Sequence, residues 1–153
     1  MLTCLIGCPF TTLADDLGYF SIDLGDRYTL KMSSPWRFLL GKNILLASRD
    51  LVVPVYTTTS EYWDDSFVLD DDYCVFGRYK SVLIAIMAGS TVTKLEISET
   101  NDLMVTFSNG VVFQSFYDCS KHIDHWHIND KKENKRIVCC DKNGELFVES
   151  SCS

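Results

Sequence analysis

The sequence predicts an α+β fold, predominantly antiparallel β, with one curved or folded-over sheet and one or two short helices. Three observations carry this prediction. Asn109-Gly110 joins two runs of alternating apolar and polar residues, the strongest short-range signature of a β-hairpin. Further short strand-like runs recur along the chain, separated by turn residues, as they do in sheets that curve or fold over. The chain has 153 residues, 46% of them hydrophobic and 23% charged, enough to bury a sizeable core and too apolar for a disordered chain. No repeat or linker divides it, so residues 1–153 read as a single domain.

In chain order, Pro9 to Gly18 reads as a short helix, with proline at its start and glycine at its stop. Strands are expected at Tyr28–Met32, Trp36–Leu40 and Ile44–Ala47, punctuated by Ser33-Ser34-Pro35 and Gly41-Lys42-Asn43. Arg78 to Ala88 reads as a helix closed by a left-handed Gly89. Its run Val82 to Met87 would serve equally as a buried strand, because periodicity alone does not separate the two. Thr91–Ile97 is a further strand, followed by the turn Glu99-Thr100-Asn101. In the hairpin, a two-residue type I′ loop would pair Ser108 with Val111, Phe107 with Val112, Val105 with Gln114 and Leu103 with Phe116. That register puts Leu103, Val105, Phe107, Val112 and Phe116 on the core face. His125–Ile128, Arg136–Cys140 and Glu145–Val148 complete the strands. Lys131 to Arg136 is a polar hairpin loop, and Lys142-Asn143-Gly144 is a turn.

Fourteen Lys and Arg face 21 Asp and Glu, a net charge of −7 and a pI of about 4.8. Such acidity argues against nucleic-acid binding, which draws on cations that displace counterions from phosphates, and it suits a basic partner. No run approaches the roughly 20 apolar residues of a membrane span. The seven cysteines have irregular spacing and form no CxxC pair, which is not a disulfide framework. Leu5-Ile6-Gly7-Cys8 has the look of a lipoprotein cleavage box, but the first basic residue is Arg27 and a signal needs a positive leading region. Reduced thiols in the cytoplasm are the expectation.

Three constellations could carry chemistry. Cys119, His122, His125 and His127 gather all three histidines of the chain. Two histidines at i and i+2 on a strand share a face, and zinc accepts Cys and His ligands. The alternative is a strand whose exposed face carries two histidines around a buried Trp126, and the ligand spacing matches no standard zinc motif. For nucleophilic catalysis, Cys8 before Pro9 could lie at a helix start and Cys119 lies near His122, settings that lower a thiol pKa. Neither is framed by a catalytic motif, and free cysteine is among the most buried residue types. No phosphate loop, nucleophile elbow or zinc-protease motif is present.

The third constellation runs from Glu61 to Asp72. It places six acids, Glu61, Asp64, Asp65, Asp70, Asp71 and Asp72, among Tyr62, Trp63 and Phe67, with no base. Without it the chain would carry −1. Local charge steers a basic partner, and aromatic anchors carry interface energy. The alternatives are a solvated acidic loop whose aromatics return to the core, or a calcium site, although the EF-hand glycine pattern is missing.

Trp36-Arg37, then Ile44 to Ala47, Ser48-Arg49-Asp50-Leu51 and Pro54 resemble the W-R…I-L-x-x-S-x-D-x-x-x-P block of small bacterial β-rich proteins, several encoded beside polymorphic toxins. An acidic aromatic stretch follows in those proteins. Next comes a hairpin matched here by Asp102-Leu103, Phe107, Asn109-Gly110, Phe113, Phe116 and Ser120, and an ending matched by Asp124-His125-Trp126-His127. The pattern has Glu and Arg beside the tryptophan, where this chain has His125 and His127. The likeness spans residues 36–127. It is similar to toxin-immunity proteins, including those of contact-dependent growth inhibition, and implies a cytoplasmic, non-enzymatic protein that binds and blocks one cognate toxin domain, without cofactor, nucleic acid or membrane. Many such toxins are basic nucleases. On that reading Glu61, Tyr62, Trp63, Asp64, Asp65, Asp70, Asp71 and Asp72 face the toxin. The runner-up is a small metal- or ligand-binding β-module built on Cys119, His122, His125 and His127.

Overall fold

The computed structural model describes residues 2–16, 19–51, 74–116, 125–140 and 146–149. After a short 3-10 turn at Thr3–Leu5 come β1 (Phe10–Asp16), β2 (Tyr19–Leu24), β3 (Tyr28–Met32), β4 (Trp36–Leu40) and β5 (Asn43–Ala47). A second 3-10 turn, Ser48–Leu51, precedes the interval 52–73. Then follow α1 (Val75–Met87), β6 (Val92–Ile97), β7 (Leu103–Phe107), β8 (Val111–Ser115), β9 (Trp126–Asp130), β10 (Lys135–Cys140) and β11 (Leu146–Glu149). All pairings are antiparallel, in a six-stranded sheet β1-β2-β3-β9-β10-β11 and a five-stranded sheet β5-β4-β8-β7-β6. The mostly antiparallel α+β class is therefore as expected, with two sheets rather than one.

The chain crosses between the sheets at Ser33-Ser34-Pro35, which separates β3 from β4. This corner is fixed from both sides: the Ser33 amide donates to the His125 carbonyl at 3.1 Å, and the Phe116 amide to the Pro35 carbonyl at 2.8 Å. Edge strands β1 and β6 are also tied together. Gly7 donates to the Val92 carbonyl, Val92 to that of Cys8, and Phe10 to that of Ser90, at 2.8, 2.9 and 2.9 Å. Between the sheets lies one apolar cluster. At its centre Phe20 of β2 stacks on Trp36 of β4 with centroids 3.8 Å apart, and meets Phe38, Phe113 and the α1 residue Phe76 at about 6 Å. Such pairs add to the apolar area they bury.

The helix expected over Pro9 to Gly18 is corrected: Phe10–Asp16 is strand β1. A bulge between Phe10 and Thr12 places an extra residue in the ladder against β2, which turns both Phe10 and Leu13 into the core. Their spacing of three imitates a helix because a bulge breaks the period of two. The neighbouring β2 shows undisturbed alternation, with Phe20, Ile22 and Leu24 buried, and was legible at Phe20-Ser21-Ile22-Asp23-Leu24 although no strand was expected there.

The hairpin is present, but its register differs from the expectation by one residue. Met104, Val105 and Thr106 pair with Gln114, Phe113 and Val112. The Gly110 amide donates to the Phe107 carbonyl at 2.9 Å, and Gly110 has φ +85° while Asn109 is not among the positive-φ residues. That is a three-residue loop ending in a left-handed glycine, not a type I′ turn, which needs positive φ at both central positions. One residue of slip exchanges the faces of a strand. The buried face accordingly holds Leu103, Val105, Phe107, Val111, Phe113 and Ser115, while Val112 and Phe116 are half-buried.

The ambiguous run at 78–88 is helical. Cys74 caps α1, its Sγ accepting from the Gly77 amide at 3.3 Å. Phe76, Leu83 and Met87 face the core, a helical and not a strand spacing. After the helix, Ser90 donates its amide to the Met87 carbonyl at 3.0 Å across a tight turn in which Gly89 has φ +75°, the glycine position that the sequence marked.

Candidate functional site

The candidate partner-binding residues Glu61, Tyr62, Trp63, Asp64, Asp65, Asp70, Asp71 and Asp72 lie outside the described residues. What the structure describes is how their interval is anchored. On one side, the turn Ser48–Leu51 is bound to the second sheet: Ser48 Oγ accepts from the Trp36 amide at 3.3 Å and Asp50 Oδ2 from the Ala47 amide at 2.8 Å. On the other, Cys74 is buried as the cap of α1. Helix α1 packs against both this turn and β5, so the interval leaves from and returns to elements in contact with each other.

These contacts also account for the sequence block around Trp36. Trp36 fills the core, Arg37 points outward with Nε donating to Gln114 Oε1 at 3.0 Å and its guanidinium over the Phe116 ring at 4.6 Å, and Ser48 and Asp50 close the turn after β5. Pro54, the last residue of that block, lies outside the described residues. The described part of the pattern builds the corner that flanks the acidic stretch.

Of the histidine cluster, Cys119 and His122 lie outside the described residues, and His125 and His127 are 3% and 6% exposed. The expectation of two histidines on an exposed face is thus corrected: His127 is buried in β9, which lies between β3 and β10, and His125 is buried just ahead of that strand, its carbonyl accepting from the Ser33 amide. Trp126 is buried as expected, and its Nε1 donates to the Asn101 carbonyl at 3.0 Å, joining β9 to the turn between β6 and β7. Among the described residues no group of three or more His, Cys, Asp and Glu could hold a metal ion.

Cys8 loses the features that would activate a nucleophile. Pro9 opens no helix but bridges to Thr91, and burial, with the neighbouring Cys4, pushes the Cys8 thiol upward. A raised thiol carries less thiolate at neutral pH.

Sequence reasoning missed the most developed polar cluster of the described residues. Asp130, 1% exposed, accepts at Oδ2 from Arg27 Nε at 2.9 Å and Nη2 at 2.6 Å, and at Oδ1 from the amides of Lys132 and Glu133 at 3.0 and 3.2 Å. Arg27, and then those two amides, hold its carboxyl below the usual carboxylate range against the opposing effect of burial. Glu133 pairs with Arg27 at 3.2 Å and with Lys135, and Lys131 with Asp23 at 3.3 Å. A cavity of about 290 Å³ opens beside this turn, lined by Asn129, Asp130, Lys131, Asn134, Lys135 and Arg136. A carboxylate with both oxygens engaged and a lowered pKa is suited to fixing a turn, not to exchanging protons. A polar hairpin loop is present as expected, but it is shorter: it spans Lys131–Asn134, braced from Arg27, while Lys135 and Arg136 already pair with Asp130 and Asn129 in β10.

Comparison of the chain with protein-family models, with curated proteins and with solved structures finds no match. Among the described residues, no helix is long and apolar enough to cross a membrane.

Proposed function

We propose that this chain is an immunity protein that binds and neutralises one cognate toxin domain, a basic one and in all respects of charge suited to a nuclease, in the bacterial cytoplasm. It acts by occupying the toxin's surface, with no catalytic step and no cofactor of its own. One observation carries the reading: six acids and three aromatics fall within the twelve residues Glu61 to Asp72, and the rest of the chain is close to neutral. Charge concentrated in this way accelerates encounter with a basic partner, and aromatic anchors among the charges supply short-range binding.

The test begins with the reading frame beside this chain's gene. A large secreted protein ending in a short variable domain is expected there, and co-production of the present chain should restore growth to cells making that domain. Growth arrest unrelieved by the chain would contradict the proposal. Stoichiometric zinc in untagged protein, lost on changing His125 and His127 to Ala, would favour the metal-module alternative.

A further inference from the structure

Asn-Gly occurs twice in the chain, at 109–110 and at 143–144, the second outside the described residues. Asparagine is a thermolabile residue. It reacts most readily ahead of glycine, because a residue without a Cβ leaves its own amide nitrogen uncrowded and its backbone free to turn. The reaction is a ring closure. The Gly110 nitrogen bonds to the side-chain carbonyl carbon of Asn109 and gives up its proton, ammonia leaves, and water then opens the succinimide to aspartate or isoaspartate.

The fold opposes each part of that closure. The Gly110 amide donates to the Phe107 carbonyl at 2.9 Å, so the proton that must leave is engaged within the loop. Asn109 Oδ1 accepts from the Val111 amide at 3.1 Å and Nδ2 donates to the Ile86 carbonyl at 2.9 Å, so the side-chain amide is held at both ends. The second of these bonds leaves the hairpin altogether. Ile86 carries one of the last four carbonyls of α1, which a helix does not satisfy by itself; its neighbours Ala85 and Met87 receive the amides of Ala88 and Ser90. Asn109 thus caps the end of α1 and clasps the hairpin to it.

Conversion would undo the clasp. Aspartate in place of Asn109 loses the Nδ2 donor and sets a carboxylate against the C-terminal end of α1, where the helix dipole is negative and the last turn has no basic residue. Isoaspartate also adds a carbon to the backbone of the three-residue loop. We propose that Asn109 is a site of spontaneous deamidation gated by this clasp. The amide survives while the hairpin is joined to α1, converts when the two part, and once converted leaves the end of the helix released.

The test follows Asn109 in the full chain by peptide mapping during incubation at mildly alkaline pH, which reads Asn109 separately from Asn143. Conversion of Asn109 is expected to be slower in the folded chain than in the chain unfolded by urea, by about tenfold or more; equal rates would overturn the proposal. Gly89→Ala addresses the clasp itself. Gly89 follows α1 at φ +75° with open space around it, so a Cβ there strains the end of the helix without touching a neighbour. Gly25→Ala imposes the same kind of strain between β2 and β3, at φ +60°. Conversion is expected to quicken by about threefold or more with Gly89→Ala and to be unchanged with Gly25→Ala. No acceleration by Gly89→Ala, or equal acceleration by both, would place the gate elsewhere than at the clasp and overturn the proposal. The product itself is read with Asn109→Asp, whose urea midpoint should fall below that of the unsubstituted chain; an unchanged midpoint would contradict release of the helix end.

Discussion

Asp130 links a single side chain to the behaviour of the whole protein. Its carboxylate receives Arg27 on one oxygen and the turn amides of Lys132 and Glu133 on the other. These donors lower its pKa in the folded state, Arg27 foremost. In the unfolded chain it returns to about 3.9. The ionised form is therefore favoured by folding, and its stabilisation is complete above the unfolded pKa and disappears as pH falls through the folded value. Asp130→Asn is expected to cost about 2 kcal/mol at pH 7 in urea unfolding. The gap between variant and unsubstituted protein should narrow below about pH 4; a gap constant down to about pH 2.5 would contradict this origin. Little of this was legible in the sequence. Asn129-Asp130-Lys131 signals a turn, but Arg27 is 103 residues away and no local pattern joins them. Trp126 was legible as a core residue, while its bond to Asn101 depends on the meeting of the two sheets.

At the level of elements, period and punctuation were informative wherever the chain kept to them. Tyr28–Met32 and Trp36–Leu40 match their strands residue for residue, since clear turn residues bound them. Errors arose where one extra residue enters a strand or a turn. Thr11-Thr12 hides a bulge that gives β1 a helical spacing, and Ser108 joins Asn109-Gly110 to make a three-residue loop, which reverses the faces of β8. The choice between two and three loop residues depends on the φ of Asn109, which Asn-Gly permits either way. The corrected register has a direct consequence. Phe113→Ala is expected to destabilise by about 3–5 kcal/mol, as for a buried aromatic, and Phe116→Ala by about 1 kcal/mol, as for a half-buried one. Equal costs in urea unfolding would restore the type I′ register. At the turn, Gly110→Ala should cost about 1 kcal/mol, because φ near +85° strains any residue with a Cβ.

Across the whole molecule, the fold supplies two sheets around one apolar cluster, and the sequence concentrates its acidity in the interval 61–72. The fold class was legible because every strand but the first carries its own alternation or turn signal; the meeting of the sheets at Ser33-Ser34-Pro35 was not, since a Pro-containing corner and an ordinary turn look alike in sequence. Of the candidate site, the acidic stretch could be read from composition alone, whereas the burial of His125 and His127 could not, because it depends on which segments of chain pack beside them. The central claim is that charge at 61–72 guides a basic toxin domain to this protein. Its most direct test is the association rate with the domain encoded in the adjacent frame, followed by stopped flow across ionic strengths. The unsubstituted chain is compared with the chain carrying Asp64→Lys, Asp65→Lys, Asp71→Lys and Asp72→Lys. Association is expected to fall by about tenfold or more at low salt, and the two rates should converge near 1 M, where the Debye length is about 3 Å. An association rate unchanged by the four reversals at low salt would contradict the claim.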